Sequence, residues 1–343
     1  MKYLTFFLVL IFACENQKEV FVEINKQNSG KEVSLRGLDV VDSSIAWASG
    51  VSGTVLRTID KGETWEDVSI NEADSIDFRD IEAFSATSAI VLSAGSPGLI
   101  YKTIDGGKNW QLVYQDYREN IFFDAMDFWD RDNGIAFGDA IEDKVVIIIT
   151  DDGGDSWHQL TQDENPDALP NEGGFAASGT CITVYGDSMA WIALGTPESR
   201  ILFSPDRGKT WIVQNSNLAQ EAPGAGVFSL AFSSPGNGIA VGGNYEAPND
   251  TTRVLSITED GGSTWFSQSN TGLSGYKSAV EHIPESDYWL SAGPSGVDFS
   301  SNNGKSWSMV DTCGYHTVVM ANGNSGWLTG ANGKIGRIII NKH

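Results

Sequence analysis

The chain has few basic residues for its length. It contains 22 Lys and Arg against 45 Asp and Glu in 343 residues, which gives a formal net charge of −23. A nucleic-acid partner requires a stripe of positive charge to bind phosphates, and this sequence has no such stripe. The composition therefore excludes nucleic acid and predicts a solvated, self-repelling surface that has room for a cation or a basic partner.

Cysteine and the common cofactor motifs are also scarce. The three Cys form no Cys-x-x-Cys pair and have no His at a spacing typical of zinc sites. Cys181 and Cys313 are expected to be small buried residues without a disulfide between them. The chain has no P-loop, no GxGxxG after a strand, no HExxH, no GxSxG and no EF-hand loop. We therefore predict no cofactor and no metal site, and leave calcium binding by an acidic loop open.

The apolar stretch at the start of the chain is short. It extends from Tyr3 to Ala13 and ends at Cys14, which is typical of an export signal rather than of a membrane-spanning helix. The tetrapeptide "IFAC" resembles a bacterial lipobox, which implies lipidation of Cys14. We predict a signal peptide over residues 1–13 and a lipidated linker over residues 14–18. The mature protein is then a membrane-anchored lipoprotein, in the periplasm or at the outer-membrane surface.

Glycine and tryptophan are abundant, with 38 and 11 residues, and six of the Trp end a repeated phrase. The copies are TIDKGETW (58–65), TIDGGKNW (103–110), TDDGGDSW (150–157), SPDRGKTW (204–211), TEDGGSTW (258–265) and SSNNGKSW (300–307). An Asp side chain can accept backbone N–H groups in a tight turn, Gly can adopt positive φ, and Trp can fill the gap between sheets. The phrase therefore predicts structural turns at Asp60, Asp105, Asp152, Asp206, Asp260 and Asn302.

The phrase resembles the Asp-box, or BNR, repeat of sialidases, other glycosidases and photosystem II assembly factors. The longer patterns "SGVSGTVLRTIDKGETW" and "AGSPGLIYKTIDGGKNW" are most similar to the photosystem II stability/assembly factor-like family of bacterial lipoproteins. That resemblance implies a seven-bladed, non-catalytic propeller that binds a partner protein during assembly of a membrane complex. The photosynthetic role is not expected here, because this chain is strongly acidic and has no Arg-rich patch.

The spacing of the repeats predicts the fold class. Successive box Trp residues are 45, 47, 54, 54 and 42 residues apart, the length of a four-stranded blade. A seventh unit after the last box has three strands, and the alternating segment 19–26 can supply its fourth. We predict an all-β, seven-bladed β-propeller over residues 19–343, closed by the N-terminal strand and monomeric.

The first strand of each blade lines the axis of a propeller, so equivalent positions at the starts of these strands form a ring. Aligning the seven strands places these residues in the ring: Arg36, Arg79, Asp124, Ala176, Ser229, Lys277 and His316. Cations are rare in this chain, which makes the ring the best candidate for a binding site. The same face is expected to contribute Asp80, Asp139, Glu172, Tyr245 and Tyr276.

Two functions are compatible with these residues. The first is a non-catalytic scaffold that binds a protein or a glycan on the channel face. The alternative is a sialidase-like glycoside hydrolase, with a carboxylate pair of Asp80 and either Asp124 or Asp139 as its candidate catalytic groups. The sialidase resemblance implies three Arg around a substrate carboxylate, and the ring offers two, Arg36 and Arg79. The sequence therefore favours the scaffold.

Overall fold

The chain forms a ring of seven four-stranded antiparallel sheets in the computed structural model, which describes residues 20–220 and 222–342. The prediction of an all-β, seven-bladed β-propeller is confirmed. The predicted signal peptide, Cys14 and the linker lie outside the described residues. Within those residues there is no helix, and hence none long and apolar enough to cross a membrane.

The strands follow the chain from the inside of each blade to its outside. Blade one contains β2 (Leu35–Val40), β3 (Ala46–Gly50), β4 (Val55–Thr58) and β5 (Glu66–Asp67). Blade two contains β6 (Asp77–Ala83), β7 (Ala89–Ala94), β8 (Gly98–Thr103) and β9 (Gln111–Asp116). Blade three contains β10 (Phe123–Phe128), β11 (Gly134–Ile141), β12 (Lys144–Thr150) and β13 (His158–Gln159). Blade four contains β14 (Ile182–Tyr185), β15 (Met189–Leu194), β16 (Arg200–Ser204) and β17 (Ile212–Asn215).

The remaining blades keep this order until the last. Blade five contains β18 (Ala225–Phe232), β19 (Gly238–Asn244), β20 (Leu255–Thr258) and β21 (Phe266–Gln268). Blade six contains β22 (Ala279–His282), β23 (Trp289–Gly293), β24 (Gly296–Ser300) and β25 (Ser308–Asp311). Blade seven contains β26 (Thr317–Asn322), β27 (Ser325–Thr329), β28 (Lys334–Lys342) and, as its outer strand, β1 (Val20–Asn28).

The ring is closed by the two ends of the chain. β1 pairs antiparallel with β28 along its whole length, from Val20 opposite Lys342 to Asn28 opposite Lys334. The N-terminal strand therefore completes the last sheet, as the missing fourth strand of the seventh unit predicts. Without this pairing, β28 would present an unpaired edge.

All six box turns share one hydrogen-bond pattern, for which the first serves as the example. Asp60 Oδ1 accepts the Thr64 N–H at 2.9 Å, and Asp60 Oδ2 accepts the Thr64 hydroxyl at 2.6 Å. These donors lower the pKa of Asp60. In the sixth turn, Asn302 Oδ1 accepts the Ser306 N–H at 2.9 Å and its amide donates to the Ser306 hydroxyl. The same geometry therefore forms with an amide in place of a carboxylate.

Apolar side chains between neighbouring blades form the core, and the box Trp residues are part of it. Trp110 of the second box meets Trp47 of blade one edge to face, with ring centroids 6.4 Å apart, and its indole donates to the Val68 carbonyl at 2.9 Å. Gly107 in the same box has φ +82° and lies against Val68, where a side chain would collide. Each box thus joins its own blade to the preceding one.

The junction between the last and first blades predicts the effect of one substitution. Gln27 on β1 accepts the indole N–H groups of Trp65 and Trp327 at 3.2 and 3.1 Å, and its amide donates to the Lys61 carbonyl at 2.9 Å. Gln27→Ala leaves both indoles without an acceptor and is expected to lower the free energy of unfolding by about 1–3 kcal/mol. Urea denaturation, monitored by Trp fluorescence, measures this loss of free energy of unfolding.

The matched control is Glu23→Ala, which removes an exposed side chain from the same strand. Its expected effect is within about 0.5 kcal/mol of zero. Equal losses in the two variants would contradict a specific role for Gln27 in closing the ring.

Candidate binding pocket on the channel face

A pocket of about 480 Å³ lies where the inner strands begin. It is lined by two Arg, one His, four aromatic residues and several small residues, namely Arg36, Arg79, Phe175, Ala176, Ala177, Phe228, Tyr245, Tyr276, Ser278, Pro294 and His316. Five of the ten residues predicted for ligand binding are in this list: Arg36, Arg79, Tyr245, Tyr276 and His316. The two Arg and His316 come from different blades, so the ring brings them together as the repeat spacing predicts.

β-Bulges in the pairing of the inner strands position several of these side chains. The inner strand pairs shift register between Leu35 and Gly37, Phe78 and Asp80, Phe123 and Ala125, and Val227 and Ser229. The residues left unpaired by these four bulges are, in the same order, Arg36, Arg79, Asp124 and Phe228. A bulge leaves one residue outside the ladder and redirects its side chain, and all except Asp124 line the pocket.

The sequence alignment of the inner strands was wrong in blades four, five and six. In blade four, Thr183 pairs with Trp191 as Asp39 pairs with Trp47, so Thr180 rather than Ala176 is equivalent to Arg36. In blades five and six the error is one residue. In blade five the bulge residue is Phe228, not Ser229. In blade six, the Lys277 N–H donates to a carbonyl of the preceding blade, as the N–H groups of Leu35 and Tyr315 do in blades one and seven. Lys277 is thus equivalent to Leu35, and Ser278 is the residue equivalent to Arg36.

Lys277 consequently lies in a core position and does not face the pocket. Its side chain is 0% exposed, and its ammonium is 2.6 Å from Asp298 Oδ2 and donates to the Ser274 hydroxyl and the Gly296 carbonyl, each at 2.9 Å. Burial lowers its pKa, although Asp298 favours the charged form. The sequence predicted Lys277 as a ligand-binding cation because it follows Tyr276 in "YKSAV". Tyr276 was aligned with the first apolar residue of the other inner strands.

Arg36 and Arg79 are the two cations of the pocket. Arg36 donates to the Ala177 carbonyl at 3.1 Å, and Arg79 donates to the Ala176 carbonyl at 3.3 Å. Arg79 also forms an ion pair with Asp77 at 2.7 Å, whereas Arg36 has no ion-pair partner within residues 20–220 and 222–342. Burial and the charge of Arg79 lower the pKa of Arg36. The pocket therefore contains positive charge that an anionic group could neutralise.

His316 is a neutral polar group beside these cations. Burial, followed by repulsion from Arg36, Lys334 and Arg79, lowers its pKa to about 3. Its Nε2 lies 3.1 Å from the Ser34 hydroxyl. At physiological pH the uncharged imidazole can therefore take part in hydrogen bonding without adding a third positive charge.

Aromatic rings form one wall of the pocket. Phe175 and Phe228 stack with centroids 3.8 Å apart and an interplanar angle of 4°, and Tyr276 meets Phe228 edge to face at 4.7 Å. Neither Phe175 nor Phe228 was among the residues predicted from the sequence to bind a ligand. Both could have been found from the sequence, since Phe175 begins "FAASGT" and Phe228 begins "FSLAF", two of the seven segments that were aligned as inner strands.

Asp124 and Asp139 form a carboxyl pair that lies behind this wall and does not line the pocket. Asp124 is 1% exposed, and Asp139 Oδ1 accepts the Gly174 N–H at 3.1 Å. Burial first, and then the neighbouring Asp139, raise the pKa of Asp124, while burial raises that of Asp139 to about 6. Neither oxygen of Asp124 has a hydrogen-bond partner among the described residues. Because the charge of each buried carboxyl group disfavours ionisation of the other, one of them retains a proton at mildly acidic pH.

Glu172 also lies outside the pocket, contrary to the prediction. It is 1% exposed, accepts the Arg200 Nε–H at 2.6 Å and accepts the Leu169 N–H at 2.9 Å. Its carboxylate therefore fixes the long loop before β14 against β16. A buried ion pair of this kind leaves no free group for a ligand.

Asp80 belongs to the axial channel. Five carboxylic side chains converge there, those of Asp39, Asp80, Glu82, Asp127 and Glu281. Several accept the backbone N–H of the next blade, for example Asp80 Oδ2 from Met126 at 2.7 Å. Burial raises the pKa of Asp127 to about 7 and that of Glu281 to about 8. Among the described residues, no group of three or more His, Cys, Asp and Glu is arranged to hold a metal ion.

The fold and the six boxes define an Asp-box, or BNR-repeat, β-propeller. Residues 18–118 match the family model described as "Photosynthesis system II assembly factor YCF48". The chain is therefore similar to the photosystem II assembly factors, and the resemblance found in the repeats is confirmed. No curated protein matches the chain.

Two solved structures share the whole ring. One, described as "YCF48 bound to D1 peptide", superposes with a TM-score of 0.63 at 14% identity, covering 95% of this chain and 96% of that one. YCF48 from Cyanidioschyzon merolae gives a TM-score of 0.59 at 18% identity, covering 92% and 98%. At these identities the likeness establishes the fold, while function depends on the residues of the site.

The channel carboxyl groups generate a prediction about pH. The pKa values of Asp127 and Glu281 lie above their ordinary values of 3.8 and 4.5, so the folded chain binds more protons than the unfolded chain from about pH 4 to 8. Their contribution to the free energy of unfolding therefore falls as pH rises through this window. Glu281→Gln retains an acceptor for the Met320 N–H and is expected to flatten the decrease. Urea denaturation of both proteins across this pH range measures how the free energy of unfolding changes with pH.

Glu119→Gln, at an exposed position outside the channel, is the control and should keep the slope of the wild type. A Glu281→Gln slope equal to that of wild type would show that the channel carboxylates do not set this pH dependence.

Proposed function

We propose that the chain is an exported, lipid-anchored scaffold that binds an extended segment of a partner protein in the channel-face pocket. The observation that supports this most strongly is the pairing of two cations, Arg36 and Arg79, with the stacked rings of Phe175 and Phe228. Such a surface suits a peptide in which a carboxylate lies beside an aromatic or aliphatic side chain. The structure described as YCF48 bound to D1 peptide supports a protein ligand for this fold.

Binding is proposed rather than hydrolysis because of where the carboxylates lie. Asp124 and Asp139 are behind Gly174, and Asp80 accepts the N–H groups of Ile81 and Met126. A glycosidase requires two carboxyl groups on either side of a bound sugar. None of these three residues lines the pocket that holds Arg36. Cleavage of a fluorogenic glycoside panel that is abolished by Asp124→Asn would contradict the scaffold.

Arg36→Gln tests the pocket. An array of unstructured peptides that vary in acidic and aromatic content identifies a ligand, and its dissociation constant is then measured for each variant. Loss of a charge-assisted hydrogen bond is expected to weaken binding by about tenfold. Arg131→Gln, at an exposed position outside the pocket, should bind as wild type does.

Equal binding by wild type and Arg36→Gln would exclude this pocket as the site. Binding of neutral glycans, with no peptide retained on the array, would exclude a protein partner. Thermal unfolding of each variant confirms that the propeller is intact.

The lipid anchor is tested with Cys14→Ser in the full chain expressed in a diderm bacterium. We expect wild type to incorporate a labelled fatty acid and to sediment with membranes, and the variant to do neither, because thioether attachment requires the Cys thiol. Cys313→Ser is the control for a second thiol. Unlabelled wild type in the soluble fraction would contradict the anchor.

A further inference from the structure

Side chains cross from one blade to the box turn of the next on the face opposite the pocket. Arg337 of blade seven donates to the carbonyls of Lys61 and Ser43 in blade one, each at 2.9 Å. It also lies over the ring of Trp327, 4.4 Å from the centroid. The Arg fork thus satisfies two turn carbonyls while stacking on an indole.

Arg57 repeats this arrangement between blades one and two. It donates to the Ala86 carbonyl at 2.7 Å and lies 5.4 Å from the centroid of Trp47. The turn residues are equivalent, because the Lys61 N–H donates to the Ser44 carbonyl and the Gly106 N–H donates to the Thr87 carbonyl. Two junctions therefore bind a guanidinium group in the same place.

Other donors occupy the next three junctions. Lys102 donates to the Gly153 carbonyl at 2.8 Å between blades two and three. Between blades three and four, Trp129 donates to the Met189 carbonyl at 2.7 Å. Between blades four and five, Trp191 donates to the Gly261 carbonyl at 2.9 Å. Gly153 and Gly261 belong to box turns, so these two turns receive a donor side chain from the preceding blade. In blade four, Met189 is the first residue of β15, and the turn carbonyl of Asp187 accepts the Arg207 side chain of the same blade at 2.6 Å.

The junction between blades five and six differs. The residue equivalent to Arg57 and Arg337 is Ile257, paired with Ile239 as Arg57 is with Trp47. Among the described residues, no side chain of blade five donates to the turn of Ser286 or the box of Asn303. A groove of about 570 Å³ lies at this junction.

The lining of this groove is suited to a cation. Ile257, Ile239 and Trp289 form an apolar floor, and the exposed carboxylates of Glu259, Glu285 and Asp287 surround it. Phe266, which is 61% exposed, and Lys305 complete the rim. Three acidic groups against one basic group give the groove a negative potential, and the whole chain has a charge of −23.

We propose that this groove receives an arginine side chain from a basic segment of a partner protein. The guanidinium occupies the position of Arg337 at the closed junction and donates to the carbonyls of Ser286 and Asn303, while its stem packs on Ile257. The Ser286 carbonyl already accepts the His282 ring N–H at 2.8 Å and has a second lone pair free for this donor. The site is separate from the channel-face pocket, since antiparallel strands place the two at opposite strand ends.

The probe is a blocked Gly-Ser peptide with one central arginine, compared with the same peptide containing citrulline, which has nearly the same shape but no charge. Chemical shifts of the Trp289 indole and the Ile257 methyl groups report binding. The arginine peptide is expected to shift both signals with an affinity at least about tenfold above that of the citrulline peptide. Equal shifts for the two peptides, or shifts confined to Arg36 and its neighbours, would overturn the proposal.

Substitutions in the protein also test whether arginine binds in this groove. Ile257→Arg places an intramolecular guanidinium in the groove and is expected to abolish peptide binding, whereas Ile257→Met retains it. Glu285→Gln combined with Asp287→Asn alters only exposed side chains and is expected to weaken binding several-fold. Undiminished binding in this double variant overturns the proposal even if Ile257→Arg fails to fold.

Discussion

Pairing of the first strand with the last is the interaction on which the rest of this propeller depends. Each blade buries its faces against two neighbours, so a ring that stays open would expose two complete sheet faces to water. β1 supplies nine residues of backbone pairing to β28. Gln27 adds side-chain hydrogen bonds from this strand to indoles of the first and last blades. The ends of the chain are thereby held by contacts in two directions, along the sheet and across the blade junction.

A closed ring has two faces with different chemistry, and here the difference has a local origin. On the channel face, bulges at the starts of inner strands redirect single side chains toward the axis, and two of them are Arg36 and Arg79. On the box face, the turns present backbone carbonyls, and side chains of the preceding blade donate to three of the six box turns and, between blades one and two, to the neighbouring turn carbonyl of Ala86. The first face therefore carries positive charge at its pocket, and the second has a groove lined by acidic side chains at the junction between blades five and six.

Carboxyl groups in the axial channel connect the inner strands of neighbouring blades, and their pKa values are raised as a consequence. Asp39, Asp80 and Asp127 each accept an N–H of the following blade, at 2.7, 2.7 and 2.8 Å. These hydrogen bonds satisfy backbone groups that the sheets leave unpaired. They also concentrate carboxyl groups where water is restricted, which raises their pKa values. Asp80 is thus explained by the architecture of the ring rather than by a ligand.

The sequence by itself determined the number of blades, the closing strand and the presence of Arg36, Arg79 and His316 at one opening, because a repeat fixes each residue's position within its blade. It could not place Lys277 or Phe228, since a bulge shifts the register by one residue without changing the repeat length. The burial of Asp124 and the open groove beside Ile257 were decided only by tertiary structure. Both depend on what a neighbouring blade contributes across the junction, from residues that are far away along the chain.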